Sequence, residues 1–307
     1  MSTKQKRDFV AITDFSESEI RETIKLAIDM KKKGQMLDVL KGKTVGCIFH
    51  KASLRTRISF EVGIYQLGGY SLYITEKEIE LGKRESIYDA AKVLSRYLAM
   101  IEIRTFAHKD VEDLAKHADI PVINGLTDLL HPCQVMSDMQ TIVEHKGKID
   151  NLKVAYLGDG NNMTNSWLKA ATRIPMDLRI GTHASTQPDQ QILDEAKAAG
   201  KSKITVTEDP NEAVVNADVI YTDVWASMGE KHLQEEREKL LAAYQVNAKL
   251  LNKAHDDVIV MHCLPAVRGQ EITDEVMDGP HSVVFDQAEN RLHMQKAIMV
   301  KLARESF

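Results

Sequence analysis

The sequence predicts an α/β protein built as two doubly wound parallel-sheet domains flanking an active-site cleft. Three observations lead there. Helical and strand-like stretches alternate along the chain, the βαβ rhythm of a mostly parallel sheet with helices on both faces. That rhythm breaks at "KGKIDN", residues 146–151, and restarts at "LKVAYLGDG". A length of 307 residues suffices for two domains of ordinary size, each with its own core. The expected division is 1–148 and 149–307, with a C-terminal helix over 287–307 folding back onto the first domain.

In the first half, "SESEIRETIKLAIDMKKKGQ" reads as a helix. Ser16 caps it, Glu19 stands three residues on, and Ile20, Ile24, Leu26 and Ile28 supply apolar positions. "TVGCIF" is a short apolar run of the kind a buried strand needs. "ESIYDAAKVLSRY" is helical, "LAMIEIR" is a strand ending at Arg104, and "DVEDLAKHA" is a further helix. "PVINGLTD" gives a strand and turn, and "HPCQVMSDMQTIVEHKG" a helix with Pro132 in its first turn. The second half runs through "MDLRIGTHA", a helix near 189–200, "KITVTED", "NEAVVNA", "DVIYTDVW" and "VIVMHCLPA". "SVVFDQ" follows, and the long helix "AENRLHMQKAIMVKLARES" comes last. In open α/β sheets ligands gather at the carboxyl ends of strands. The chemically capable residues stand at those ends: Ser53–Arg57, Arg104, His131, Asn161–Asn162, Asp223 and His262–Cys263.

Hydrophobic residues make up 43% and charged residues 28%, ordinary for a soluble globular chain. A net charge of −5 leaves no cationic excess to neutralise a duplex, which argues against nucleic acid as a partner. A local basic cluster in a mildly acidic protein points instead to a small anionic ligand. The 3 cysteines, Cys47, Cys133 and Cys263, are odd in number and far apart, which excludes a disulfide framework and fits a reducing compartment. None lies in a zinc-like spacing, so no structural metal is expected. No apolar run nears the length of a membrane span, and "MSTKQKRDF" lacks a signal-peptide core. A cytoplasmic protein with no membrane partner is the expectation.

The densest chemistry is "KASLRTR", where the strand "TVGCIF" hands over to a helix. A helix N-terminus offers unpaired N–H groups and a partial positive charge. Lys51, Ser53, Arg55, Thr56 and Arg57 add hydroxyl, ammonium and forked guanidinium donors matched to phosphate oxygens. A capping serine followed by solvated arginines fits the same pattern equally well. Likewise "HPCQ" suits plain helix initiation, and "GDGNN" a tight strand-to-helix turn without a ligand.

"SLRTR" resembles the Ser-x-Arg-Thr-Arg signature of the aspartate and ornithine carbamoyltransferase family, and "HPCQ" its His-Pro-x-Gln element, at a separation the family shares. "DVWASMG" at Asp223–Gly229, "HCLP" at His262–Pro265, "GDGNN" at Gly158–Asn162 and "FDQAENRLHMQKA" at Phe285–Ala297 resemble the ornithine branch. The aspartate branch carries proline in place of the cysteine of "HCLP". Motifs that agree in order along nearly the whole chain are much harder to reach by chance than any single match.

The resemblance implies a transferase that moves the carbamoyl group of carbamoyl phosphate to the side-chain amine of L-ornithine, giving L-citrulline and phosphate without metal or cofactor. Carbamoyl phosphate would be held by Ser53, Leu54, Arg55, Thr56, Arg57, Glu80, Arg104, His131, Gln134, Cys263, Leu264 and Arg291. Ornithine would be held by Asn162, Asp223, Ser227 and Met228. Of these, Cys263, Arg104, His131 and Asp223 would serve catalysis. Thr56, Arg104 and His131 would polarise the carbonyl, and Asp223 would pair with the ammonium. Cys263 would lie beside the attacking amine, helping to position and deprotonate it rather than forming a covalent intermediate. Cys47 and Cys133 read as packing. The first domain would then bind carbamoyl phosphate and the second ornithine.

Two positions depart from the family pattern. Ala52 stands where proline is common, and Glu80 where many members have glutamine. A carboxylate there would repel a phosphate unless Lys83 or Arg84 neutralises it. That loop would come from a neighbouring subunit, because the resemblance implies a homotrimer, or a higher assembly of trimers, with shared sites. Rival readings fare less well. A different acceptor amine is disfavoured by "SMG" and "HCLP". A dinucleotide site at "LKVAYLGDGNN" fails because the glycine fingerprint breaks at Met163 and "DLRIGTHA" ends without an acid for the ribose. A non-catalytic homologue sits poorly with the intact set of polar residues.

Overall fold

The computed structural model describes residues 6–34, 36–82, 84–226 and 234–306. The chain divides into two units, Met1–Gln140 with Glu289–Phe307, and Thr141–Ala288. Each unit carries one parallel sheet.

The first half of the chain folds as α1 (Glu17–Lys33), β1 (Thr44–Phe49), α2 (Leu54–Gln66), β2 (Tyr70–Thr75), α3 (Glu76–Ile79), α4 (Ile87–Tyr97), β3 (Met100–Arg104), α5 (His108–His117), β4 (Val122–Leu126) and α6 (Pro132–Lys146). Its sheet has the order β2-β1-β3-β4. The interior strands β1 and β3 are buried along almost their whole length. That is why "TVGCIF" and "MIEIR" are near-continuous apolar runs, since helices cover both faces. Ile48, Ile101, Ile103, Val111, Leu114 and Val122 form the core beneath the helices. α1 starts as expected: the Ser16 hydroxyl accepts from the Glu19 N–H at 3.3 Å, and the Glu19 carboxylate accepts from the Ser16 N–H at 2.8 Å. The edge strand β2 and the short α3 were not foreseen. β2 keeps only intermediate burial, with Tyr70 and Leu72 exposed, so its "YSLYIT" pattern lacks the unbroken apolar run of its neighbours.

The second half continues with β5 (Lys153–Leu157), α7 (Asn162–Ala171), β6 (Asp177–Gly181), α8 (Gln190–Ala198), β7 (Lys203–Thr207), α9 (Pro210–Val214), β8 (Val219–Thr222), α10 (Gln234–Leu241), α11 (Ala248–Leu251), β9 (Ile259–His262), α12 (Asp274–Met277) and α13 (Val284–Ser306). The sheet order is β7-β6-β5-β8-β9. Its core gathers Leu157, Ile220, Trp225, Tyr244, Val260 and Ile272. α13 begins at Val284, so "VFDQ" is already helical, three residues before the expected start. From Glu289 onward α13 belongs to the first unit, where Lys296 donates to Gln66 of α2 at 2.7 Å. There Gly63 lets α2 approach α13, its missing Cβ lying 3.3 Å from the Met299 methyl.

In both sheets the strand order reverses once, between β1 and β3 and between β5 and β8. The loops that leave the carboxyl ends of those strands diverge there, which opens a crevice for a ligand. Among the described residues no helix is long and apolar enough to cross a membrane.

Candidate active site

The loop leaving β1 turns at once into α2. Ser53 takes an extended backbone, and its hydroxyl accepts from the Thr56 N–H at 3.2 Å, which caps the helix. Thr56 is buried, and its own hydroxyl accepts from two guanidinium groups. Arg104, the last residue of β3, donates through Nη1 at 3.1 Å, and Arg291 of α13 donates through Nη2 at 3.1 Å. Arg291 also donates to the Gln134 amide oxygen at 2.6 Å. A strand end, two helix starts and a distant helix therefore bring donors to one point in the first unit.

His131 immediately precedes α6 and is almost wholly buried. Burial, and next the charges of Arg291, Arg104 and Arg55, hold its imidazole well below the ordinary range. The ring is therefore neutral, with one N–H to donate. Glu102, two residues before Arg104 on β3, is the unexpected member. It is fully buried, and burial raises its carboxyl well above the usual value despite Arg104 and Arg291. A Cβ on Gly125 of β4 would fall 1.9 Å from its Oε1, so the glycine makes the room. Only the interruption of "MIEIR" by a glutamate announced it. Burial pushes the Cys133 thiol up to about 12 and Cys47 up as well, so both are inert.

Not every expected residue joins this cluster. Arg57 is exposed, donates to Glu61 at 2.9 Å and lies 3.7 Å from the Tyr73 ring centre. Leu54 exposes its side chain, leaving its backbone N–H at the helix start as the useful group. Lys51 is buried, pairs with Asp128 and lies 4.5 Å from the Phe106 ring centre. Glu80 is exposed just beyond α3 in a left-handed conformation, with φ of 35°.

In the second unit, Asp223 follows β8 and is buried. One carboxylate oxygen accepts from the Cys263 thiol at 2.9 Å and from the Val224 N–H at 2.8 Å, and the other accepts from the Asn161 amide at 3.0 Å. Asn161 caps α7 through its oxygen, which accepts from the Met163 N–H at 2.9 Å and the Tyr156 hydroxyl at 3.1 Å. Asn161 thus holds Asp223, while Asn162, the residue expected at the ornithine carboxylate, opens the first turn of α7. The turn that places them is tight. A Cβ on Gly160 would come within 2.3 Å of the backbone at Gln187 and Pro188. Arg237 of α10 pairs with Asp159 of the same turn at 3.2 Å. Ser227, Met228 and Gly229, like Lys83, lie outside the described residues.

Cys263 follows β9, and Leu264 after it adopts a φ of 59°, unusual for a branched side chain. The Leu264 N–H donates to His262 Nδ1 at 2.8 Å, while His262 Nε2 meets Glu271 at 3.0 Å. Among the described residues one trio could hold a cation: ligand atoms of Asp223, His262 and Cys263 lie within 4.8 Å of one another. Both imidazole nitrogens are already engaged, which leaves only the carboxylate and the thiol to offer.

Comparison with known proteins gives a consistent result. Residues 7–144 match the family described as aspartate/ornithine carbamoyltransferase, carbamoyl-P binding domain, and residues 150–302 match its Asp/Orn binding domain. The chain is 52% identical over 297 residues to an ornithine carbamoyltransferase of Syntrophus aciditrophicus, covering 96% of this chain and 98% of that one. It is 54% identical over 302 residues to one from Oceanobacillus iheyensis, covering 96% and 94%. Among solved structures, the ornithine carbamoyltransferase from Pyrococcus furiosus superposes with a TM-score of 0.91 at 46% identity, covering 97% of each chain. An anabolic ornithine carbamoyltransferase from Campylobacter jejuni gives 0.92 at 34% identity, covering 97% and 99%.

Proposed function

The chain belongs to the aspartate/ornithine carbamoyltransferase family, and on that premise we propose that it transfers the carbamoyl group of carbamoyl phosphate to the side-chain amine of L-ornithine, giving L-citrulline and phosphate. The observation that carries this reading is the convergence of Arg104 and Arg291 on Thr56, beside a capped helix N-terminus and a neutral histidine. A dianionic phosphate suits Ser53, Arg55, Thr56 and the N–H groups that open α2. Arg57 would have to leave Glu61 to join them. The carbonyl oxygen suits Thr56, Arg104 and His131, and the Gln134 oxygen and Leu264 carbonyl suit the carbamoyl NH2.

The amine lone pair attacks the carbonyl carbon, forming the C–N bond and moving charge onto the carbonyl oxygen. Donors already in place stabilise that charge without reorganising. The tetrahedral species then breaks its C–O bond, phosphate leaves with the electron pair, and the nitrogen passes its proton to the departing phosphate. On the ornithine side, Asp223 matches the α-ammonium, while Asn162, Ser227 and Met228 are assigned to the rest of the amino acid by family resemblance. Cys263 donates its S–H to Asp223, so it serves as a positioning thiol beside the amine, not as a thiolate nucleophile. We assign carbamoyl phosphate to the 1–148 segment and ornithine to 149–307; Arg291 lies in the stretch of the latter, Glu289–Phe307, that belongs to the first unit.

A homotrimer with shared sites is supported by the surface of the first unit. Leu54 and Tyr65 of α2, each 68% exposed, share a helix face with Ile58, next to edge strand β2 with Tyr70 at 66%. Glu80 is assigned to a neighbour's phosphate site within that trimer. Three free cysteines and the absence of any spanning helix among the described residues support a cytoplasmic assignment.

Citrulline formation from carbamoyl phosphate and ornithine tests the reading directly. Arg55→Ala should be nearly inactive. A folded wild-type protein that makes no citrulline at saturating substrates, or that prefers another amine in a panel, would overturn it.

A further inference from the structure

Gln134 lies in the first turn of α6 and is 1% exposed, and both ends of its amide are engaged. The oxygen accepts from Arg291 at 2.6 Å, and the NH2 donates to Asp138 at 2.8 Å. The polarity of these partners matters. A guanidinium has only donors and a carboxylate only acceptors, so one of the two amide orientations satisfies both and the other satisfies neither. Asp138 is 0% exposed and stands four residues further along the same helix, so the pair is built into α6 rather than into a loop.

An amide oxygen has two lone pairs. Arg291 takes one, which leaves a second for a further donor. Carbamoyl phosphate carries an NH2 where acetyl phosphate, of nearly the same shape, carries a methyl group. We propose that Asp138 is a specificity-determining positioning residue: it holds the Gln134 amide with its oxygen toward the reagent, so that the site accepts an NH2 and refuses a methyl. This rests on the carbamoyl-transfer reading above. Asp138 touches no substrate itself. A site built to hydrogen-bond a group rejects the analogue lacking it far more strongly than a shape-matched apolar pocket can, because its own polar atom is left unpaired.

Two stable phosphonates read this without turnover: phosphonoacetamide and acetonylphosphonate, which differ only in NH2 against CH3. Their affinities are measured by calorimetry on the full chain. Wild type should favour the amide by about tenfold or more. Asp138→Leu removes the acceptor at similar volume and should bring the two affinities within about threefold, through weaker amide binding with the ketone unchanged. Asp138→Asn keeps an acceptor oxygen and should retain the preference. If thermal melting shows the leucine variant unfolded, Asp138→Ala reads the same ratio. A wild-type ratio that survives in Asp138→Leu or Asp138→Ala, or one lost equally in Asp138→Asn, overturns the inference. A wild type that binds both ligands equally also overturns it, with the phosphate grip left standing. A wild type that binds neither overturns the site reading as well.

Discussion

Thr56 gathers two cations onto one hydroxyl. Thr56→Val would strip an acceptor from both Arg104 and Arg291, a loss of about 1–3 kcal/mol for each buried donor. We expect kcat/KM to fall by about a hundredfold or more, read by steady-state kinetics on a variant whose melting shows it folded. Glu102 makes a different prediction. Its carboxyl is held protonated, well above the ordinary value of 4.5. An acid with a raised folded-state pKa contributes stability that is full below the unfolded value and lost as pH rises toward the folded one. Glu102→Gln needs no such proton, so its stability should gain on wild type from pH 5 to pH 8 and match it near pH 4. Urea melts across that range check this, and a pH-independent difference would sink it. At this scale the sequence was informative where a residue's role depends on its neighbours in the chain. Ser53, Thr56 and His131 stand where strand ends and helix starts put them. Glu102 shows only as a glutamate interrupting an apolar strand, and Asn161 as a residue at a strand end and helix start; burial and the distant Arg291 and Asp223 give them their roles.

At the scale of elements, helix α2 and the turn before α7 do the positioning. The Gly160 turn has no space for a side chain, since the backbone at Gln187 and Pro188 would lie 2.3 Å from a Cβ. Gly160→Ala should lower the melting temperature by about 5 °C or more and displace Asn161, raising KM for ornithine more than KM for carbamoyl phosphate. Calorimetry with substrate titrations separates the two effects. Elements were legible where burial is total. "TVGCIF", "MIEIR" and α6 came out within a few residues because two buried faces, or a proline in the first turn, leave a strong signature. β2, α10, α11 and α12 did not, because they are short or half-exposed and their form comes from tertiary contacts. Arg57 belongs here too. Its engagement with Glu61 is an ordinary i,i+4 helix pair, open to anyone who extended the helical reading by one turn.

Across the whole molecule, the exposed face of α2 calls for a partner. Ile58→Glu with Tyr65→Asp should convert a species of three times the chain mass into one of a single chain in light scattering. It should also depress activity steeply if sites are shared, without shifting the melting of the isolated chain by more than a few degrees. A wild type that already elutes as a single chain would dismiss the trimer. The alternation of strand and helix made the two-sheet architecture readable; the return of Glu289–Phe307 to the first unit, expected for the helix over 287–307, has no counterpart in periodicity. That return carries a temporal consequence. Arg291 leaves the ribosome only after the whole of Thr141–Ala288 has been made, roughly ten to thirty seconds behind Gln134 at ordinary elongation rates. Throughout that interval the nascent polypeptide has Thr56 and Gln134 but not the guanidinium that joins them. On the proposed reading, the carbamoyl-phosphate site is thus complete only when translation is almost done.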